Sequence, residues 1–365
     1  MSDSPPSFTI TAVDPMYLKM PITTDAVDGQ QDSLLVRVST SVAGVTGWGE
    51  SDSSPLVGLS AYVCPQSHGA NGPGIRAMIV GQTVSCAADV VRIHKRVTTG
   101  GGLDIQQIEH AYSGCDIALW DALGKLQRKP VWQLLQEHFG GEGSPAPKMP
   151  YASVLFEEPP AATKALAETL GERGEGYEGE RSLCGCCLRV CWGVAADFFS
   201  HSLSAVKFGW GPLGRDGLEA DIDYVRQARA GLGAGPKLCV DAGVIWGRDD
   251  KAALLRAQAF EQFDVAWLEE PLIQEAIGPY AALCASSPVD IAAGEGSDTV
   301  RAAEDLIENG GVKYVQIDPG RIGGLTAAYQ VLYLLALPAL PALPALPALP
   351  ALPALPALPA LPALP

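Results

Sequence analysis

The second half of the chain alternates short apolar runs with longer amphipathic stretches. The apolar runs lie at 151–156, 205–210, 237–243, 265–271, 289–296 and 314–320. Between them, stretches such as "KAALLRAQAFEQF" and "TVRAAEDLIENGG" have the mixed polar and apolar spacing of helices. Strands that alternate with helices indicate βαβ units and a parallel sheet. The pattern predicts an α/β fold, a (β/α)8-type TIM barrel that is incomplete at about six βα units.

The first part of the chain has a different pattern. The stretch "SLLVRVSTSVAGVTGWGES" contains two alternating segments around a glycine turn and predicts a β-hairpin. The stretch "IQQIEHAYSGCDIALWDALGKLQ" carries a broad apolar face at helical spacing and ends shortly before Pro130. We therefore predict an α+β domain over residues 1–148, followed by the barrel domain over 149–335.

Two segments interrupt this pattern. Residues 171–204 lengthen the first βα unit and are interpreted as an insertion; they contain the cysteine-rich stretch "CGCCLRVC" at 184–191, whose spacing matches no standard pair of zinc ligands. The tail at 336–365 consists of ten "ALP" triplets. Because proline at every third position is incompatible with a helix, we expect extended polyproline II structure or disorder there.

Composition narrows the function classes. The 365-residue chain has a formal net charge of −16, which argues against nucleic acid or an anionic membrane as a partner. It opens without a signal-peptide pattern and contains no uninterrupted apolar run of about 18 residues. We expect a cytoplasmic protein.

Four of the predicted strands end in acidic residues: Asp241, Glu269, Glu295 and Asp318, at intervals of 23 to 28 residues. In a parallel barrel all strand C-termini open on one face, so these carboxylates are expected to converge. Converging negative charges repel one another and are costly to desolvate. A hard divalent cation with oxygen ligands would resolve this, Mg²⁺ first and Mn²⁺ as the alternative. The simpler interpretation is a set of solvated strand ends.

These motifs carry a resemblance. The stretches "AVKFGWGPLG", "VDAG", "WLEEP", "AAGE" and "VQIDPGRIGGLT" resemble the barrel of the enolase superfamily, in its mandelate racemase/muconate lactonizing enzyme family. The stretches "GVTGWGES" and "DIALWDALGKLQRKPVWQLL" resemble the N-terminal α+β capping domain of that family. The resemblance covers most of residues 8–335 and implies removal of the α-proton of a carboxylate substrate, with the metal stabilising the enediolate.

The resemblance also implies roles for individual residues. Asp241, Glu269 and Glu295 would be the Mg²⁺ ligands. Glu270 would support them by pairing with a neighbouring cation, or would form a surface ion pair. Lys207 would place a positive charge beside the substrate carboxylate.

Asp318 distinguishes subgroups of the family. It lies five residues before Gly323, where muconate lactonizing enzymes carry a lysine base. The racemase-like subgroup has an aspartate there, paired with a histidine base on the next strand. Arg321 would support this strand end, or would be a surface cation.

Two departures from the family pattern affect the expected activity. None of the five histidines follows Asp318, and residues 207–209 read Lys-Phe-Gly where mandelate racemase has a second lysine as base. A two-base racemase is therefore disfavoured, and "KFGWGPLG" resembles the acid-sugar dehydratases, which are hydro-lyases. We expect impaired activity, because the histidine and about two barrel strands are missing.

Several alternatives stay open at this stage. One is a racemase, epimerase or cycloisomerase of the same family, and another is a non-catalytic, truncated derivative. The resemblance is compatible with a homo-oligomer. We expect substrate choice to depend on the capping-domain segment 17–29.

Overall fold

The structure, a computed structural model, describes residues 6–22, 32–66, 72–100, 105–140, 151–172 and 204–336. Its first part contains four strands: β1 (Phe8–Lys19), β2 (Asp32–Thr40), β3 (Thr46–Ser51) and β4 (Thr83–Val84). Five helices accompany them: α1 (Pro55–Val63), α2 (Ile75–Ile79), α3 (Ala87–Gly100), α4 (Ile105–Gln127) and α5 (Val131–Phe139). Within the described part of the chain, no helix has both the length and the apolar character needed to cross a membrane.

The N-terminal strands form one antiparallel sheet in the order β3-β2-β1-β4. Strands β2 and β3 are the predicted hairpin, with Val36 opposite Gly49. The predicted long helix is α4, with the bounds that the sequence pattern gave, and Arg128 follows it in the left-handed region at a φ of 55°. The α+β character of this part is confirmed.

Helix α4 packs directly on β3 because two glycines remove the side chains between them. A Cβ on Gly47 would overlap the carbonyl oxygen of Ala118, and one on Gly49 would overlap that of Gly114. The helix contributes Tyr112 to the core beneath the sheet, where its side chain is fully buried. This close approach fixes the position of α4, which later contacts the second part of the chain.

The second part contains six strands: β5 (Ala152–Leu155), β6 (Ala205–Gly209), β7 (Lys237–Asp241), β8 (Val265–Glu269), β9 (Ile291–Ala293) and β10 (Tyr314–Val315). Its helices are α6 (Pro160–Glu172), α7 (Leu218–Leu232), α8 (Asp250–Phe260), α9 (Ile277–Ser286), α10 (Val300–Asp305) and α11 (Leu325–Ala336). A 3-10 turn (Glu261–Phe263) follows α8, and a π turn (Leu306–Gly310) follows α10.

The six strands form one parallel sheet in sequence order from β5 to β10. Each predicted apolar run contains one of them, so the α/β fold with about six βα units is confirmed. Helix α6 includes residues 171 and 172, the first two of the predicted insertion. The cysteine-rich stretch 184–191 and the repeat beyond residue 336 lie outside the described residues, as does most of the segment 17–29.

Three aromatic side chains connect the two edges of this sheet with its middle. The ring of Trp267 in β8 lies 5.8 Å from that of Tyr151, next to β5, and 5.5 Å from that of Tyr314 in β10. Contact of both edges with one central side chain requires a curved sheet, as in a barrel. Tyr151 and Tyr314 are exposed, so this group of three aromatic side chains is less completely buried than the hydrophobic core.

The contact between α4 and β3 can be tested by adding a methyl group. We expect Gly49→Ala to lower the free energy of unfolding by about 2 kcal/mol or more, because the new Cβ would force the helix away from the strand. Urea unfolding followed by circular dichroism would measure this. The control is Gly235→Ala, since nothing lies within 4 Å of the position of its Cβ. Equal stability of the two variants would contradict the packing described.

Candidate active site

The C-terminal ends of the parallel strands bring the predicted acids to one face. Asp241 is the last residue of β7 and Glu269 the last of β8, and the two are direct partners in the sheet register. Glu295 follows β9, and Asp318 follows β10. The prediction that these residues follow successive strands on one face therefore agrees with the strand order.

The backbone at this face adopts unusual conformations. Three non-glycine residues that follow β6, β7 and β8 have positive φ angles: Trp210 (54°), Val244 (60°) and Glu270 (39°). A positive φ is especially unfavourable for a β-branched residue such as Val244. The Val244 N–H donates to the carbonyl oxygen of Glu270 at 2.7 Å, which ties two of these turns together. Such strain is commonly found at functional sites.

Lys207 joins two of the predicted metal ligands. It lies in the middle of β6, and its Nζ donates to Asp241 Oδ2 at 2.8 Å and to Glu269 Oε1. Trp267 Nε1 donates to the other oxygen of Glu269, Oε2, at 3.0 Å. All three charged side chains are nearly or fully buried. The result is a buried ion cluster in which both oxygens of Glu269 are held in place.

The pKa values reflect this crowding. Burial raises the pKa of Asp241 to about 6, although the Lys207 ammonium opposes the rise and the Gly243 N–H also stabilises the charged form. Burial acts to lower the pKa of Lys207, but its two carboxylate partners raise it above the ordinary value. The lysine is therefore cationic, and it stabilises the charged forms of its partners.

Glu270 and Glu295 add further negative charge. Burial raises the pKa of Glu295 to about 7, and the Glu270 carboxylate adds to the rise. Burial also raises the pKa of Glu270, whose Oε1 accepts the N–H of Gly296 at 3.2 Å. Glu270 is thus bonded to the backbone beside Glu295, whereas the sequence favoured a pairing with a cation or a surface ion pair.

Asp318 and Arg321 lie where the two parts of the protein meet. Arg321 forms an ion pair with Asp52, which follows β3, with Nη2 2.5 Å from Oδ2. The Asp52 N–H donates to the carbonyl oxygen of Gly320 at 2.8 Å. Asp318 Oδ1 accepts the N–H of Gly320 at 2.7 Å. Burial raises the pKa of Asp318, and the nearby Asp52 carboxylate adds to the rise.

A cavity of about 450 Å³ opens at this junction. Its lining includes three of the predicted site residues, Glu295, Asp318 and Arg321, and also Asp52, Tyr151, Gln316, Ile317 and Pro319. Sequence reasoning missed Asp52, Tyr151 and Gln316. The position of Gln316, two residues before Asp318 at strand periodicity, could have indicated it. Asp52 and Tyr151 lie far away in the sequence and gave no comparable signal.

The donor chemistry of this face fits a hard divalent cation. Asp241, Glu269 and Glu295 offer carboxylate oxygens, and Gln316 Oε1 is buried without a hydrogen-bond partner among the described residues. In the arrangement shown, however, no three Asp, Glu, His or Cys side chains within the described ranges surround a common point. The Lys207 ammonium lies between Asp241 and Glu269 and binds carboxylate oxygens that a metal would use.

Gly209, the last residue of β6, leaves room for the side chain of Asp241. It is the register partner of Asp241, and a Cβ at Gly209 would lie 2.5 Å from the Cβ of Asp241. The position where the racemase pattern has its second lysine is therefore filled by Asp241 itself. A lysine at 209 would require this acid to move.

The α/β part of the protein presents a face lined with acids, and an α+β domain covers this face from one side. This combination defines the class of protein. Residues 7–136 match the mandelate racemase/muconate lactonizing enzyme N-terminal domain, and residues 194–362 match the enolase C-terminal domain-like family. The chain belongs to the mandelate racemase/muconate lactonizing enzyme family of the enolase superfamily, as its motifs indicated.

Two solved structures support the fold assignment. A protein from Rhodobacter sphaeroides described as a predicted mandelate racemase is 38% identical, with a TM-score of 0.72 over 90% of this chain and 74% of that one. A racemase from Streptomyces coelicolor with bound magnesium is 25% identical, with a TM-score of 0.66 over 89% of this chain and 80% of that one.

Relatives with assigned names include several activities. A D-galactonate dehydratase family member from Catenulispora acidiphila is 27% identical over 315 residues, which is 84% of this chain and 67% of that protein. Matches over shorter stretches carry cycloisomerase and racemase names. The chain spans only part of the length of these relatives: 52% of one cycloisomerase and 67% of the Catenulispora acidiphila protein.

Removal of the Lys207 charge tests the ion cluster. We expect Lys207→Met, in the presence of EDTA, to lower the free energy of unfolding by about 3–5 kcal/mol, because two buried carboxylates would lose their cation. Chemical unfolding at neutral pH would measure the loss. Lys164→Met is the matched control, since it breaks an exposed pair with Glu168 at 3.5 Å that contributes about 0.5 kcal/mol or less. Similar losses in the two variants would argue against a buried cluster.

Proposed function

We propose that this protein is a divalent-metal-dependent hydro-lyase that removes the α-proton of an acid sugar and then expels a hydroxyl group. The observation that carries the proposal is the buried Lys207–Asp241–Glu269 cluster. Its two acids end their strands, and Glu295 and Asp318 follow the next two strands of the same parallel sheet. Buried carboxylates at the C-terminal face of a barrel are expensive to maintain and are typical of catalytic sites. The dehydratase name of one relative supports the choice of reaction.

Asp241, Glu269 and Glu295 are the residues that we propose to hold the metal. Mg²⁺ is the expected ion, since the donors are carboxylate oxygens and a related racemase structure contains magnesium. Such an ion would supply positive charge where the enediolate develops. Glu270 would keep Glu295 in place because its carboxylate accepts the N–H of Gly296, the next residue in the chain.

Lys207 and Asp318 are proposed to act on the substrate. Lys207 would supply an ammonium group for the substrate carboxylate once a metal ion takes over the oxygens of Asp241 and Glu269 that it now binds. Asp318, which lines the cavity, would accept the α-proton of the substrate. Arg321 would hold the turn that carries Asp318 through its ion pair with Asp52. Because no histidine follows Asp318 in this sequence, we expect a rate that is lower by about 10² to 10⁴ than with a full acid–base pair.

A cycloisomerase is the second candidate, and the names of two relatives favour it. It would use the same proton removal but would release no water. A two-base racemase is disfavoured because Asp241 fills the space beside Gly209.

A turnover assay tests the reaction. We expect slow formation of 2-keto-3-deoxy products from a panel of acid sugars with Mg²⁺, and loss of this activity in EDTA. Mass spectrometry would distinguish the candidates, because a cycloisomerase gives a product of unchanged mass. Fast turnover would refute the expected impairment. Absence of product from every acid, or activity that EDTA does not change, would refute the proposed function.

Metal binding can be tested without turnover. We expect Asp241→Asn, Glu269→Gln and Glu295→Gln each to weaken Mn²⁺ binding roughly tenfold or more, because each removes a charged oxygen ligand. Titration calorimetry or electron paramagnetic resonance would measure the affinity. Glu275→Gln is the control, an exposed acid a few residues beyond β8. Equal Mn²⁺ affinity in the control and the three site variants would contradict the ligand assignment.

A further inference from the structure

The turn that carries Asp318 follows a very short strand at the edge of the described sheet. Strand β10 has only two residues, which pair with Ala292 and Ala293 of β9. The N–H groups of the flanking Lys313 and Gln316 also donate to β9 carbonyl oxygens, at 2.9 and 3.0 Å. By contrast, β7 pairs along five residues with β6. This pairing ends at Gln316, two residues before Asp318, so the short edge strand restrains the following turn less than a longer strand would.

The N-terminal part of the protein holds this turn instead. The Gly320 carbonyl oxygen accepts the Asp52 N–H at 2.8 Å, and the Gly323 N–H donates to Ser113 Oγ at 2.9 Å. Inside the turn, the Asp318 carbonyl oxygen accepts the N–H groups of Arg321 and Ile322 at 3.1 and 3.0 Å. The segment 318–323 is therefore a compact unit that is bonded to the other domain at its middle, through Gly320, and at its end, through Gly323.

A further attachment follows the turn and uses a buried carboxylate. The fully buried carboxylate of Asp116, in α4, accepts two hydrogen bonds from Thr326: the backbone N–H at 2.9 Å and the hydroxyl at 2.7 Å. Thr326 lies in the first turn of α11, where backbone N–H groups lack partners within the helix. Trp120 Nε1 donates to the same Thr326 hydroxyl at 3.0 Å. Asp116 thus caps a helix of the other domain, and its charge favours that helix end.

Two glycines allow this approach. Gly323 and Gly324 have φ angles of 108° and 96°, which other residues rarely adopt. A Cβ on Gly324 would also overlap the side chain of Asp116. The glycine pair is therefore required both by the backbone path and by the contact with α4.

A buried carboxylate is not an efficient way to stabilise a fold, because its desolvation cost offsets much of the gain. Its hydrogen bonds are strong and directional, however, so it fixes geometry. A basic group from α3 lies beside this carboxylate: the imidazole Nδ1 of His94 is 3.4 Å from Asp116 Oδ1. The arrangement is better suited to holding a position than to adding stability.

We propose that Asp116 is a positioning residue for Asp318: through Thr326 it fixes the 318–324 turn on the N-terminal domain and so sets where the Asp318 carboxylate lies in the cavity. The catalytic consequence rests on the proposed function, whereas the positioning itself does not.

Hydrogen exchange of the full chain tests the positioning directly. In Asp116→Asn, which keeps the shape but replaces an acceptor oxygen by a donor, we expect amide exchange in 318–326 to accelerate roughly tenfold to a hundredfold. Exchange in β7 should stay unchanged. An equal acceleration in both segments would show a merely structural role and overturn the proposal, as would unchanged exchange in 318–326.

A second pair of variants decides the matter if Asp116→Asn does not fold. Thr326→Val removes the hydroxyl bond, and Thr326→Ser retains it. We expect faster exchange of 318–326 in the valine variant and recovery in the serine variant; equal exchange in the two would overturn the proposal.

Kinetics then separate the two proposals. If the wild type turns over an acid, Asp116→Asn should lower kcat more than it changes KM, with Mn²⁺ affinity unchanged. A loss of Mn²⁺ affinity in parallel with kcat would contradict positioning. If the wild type shows no turnover, the proposed function fails, and the exchange result still decides the role of Asp116.

Discussion

The shared ammonium of Lys207, between the carboxylates of Asp241 and Glu269, is the interaction on which the candidate site depends. Isolated charges with so little exposure would be too costly to keep ionised, so each needs the others. The parallel register supplies the arrangement, because β6, β7 and β8 present these side chains from adjacent strands. Gly209 leaves the space for Asp241, and Trp267 fixes Glu269 from the other side. Buried ion pairs contribute little net stability to a fold, so the cluster indicates a functional role.

The site also requires both domains. Gly49 lets α4 lie directly on β3, and from that position α4 reaches the start of α11 through Asp116. The end of the same strand presents Asp52 to Arg321. Two apparently separate features of the N-terminal domain, its tight helix packing and its strand end, therefore determine how the Asp318 turn is placed. A change in that packing would be transmitted to the cavity without touching any barrel strand.

The sequence predicted those parts that depend on local periodicity. Six apolar runs, the hairpin and the long helix follow from spacing alone, and so does the presence of Asp241 and Glu269 on one face. The partners could not be predicted, because they come from distant segments: Asp52 is far from Arg321 along the chain, and no spacing rule links them. The lysine bridge was missed for a related reason, since Lys207 was expected to face a substrate and not the two acids.

The balance of charge at the strand ends gives the last step of the argument. Asp241, Glu269, Glu270 and Glu295 are four acids, and Lys207 is the cation bonded directly to two of them, while Arg321 is engaged by Asp52. Burial is the main cause of the raised pKa values of Asp241, Glu270 and Glu295, and the excess of negative charge adds to the rise. A divalent cation would supply the missing positive charge and would free the lysine for a substrate carboxylate. A site that is over-supplied with buried acids is therefore easier to explain with a metal than without one.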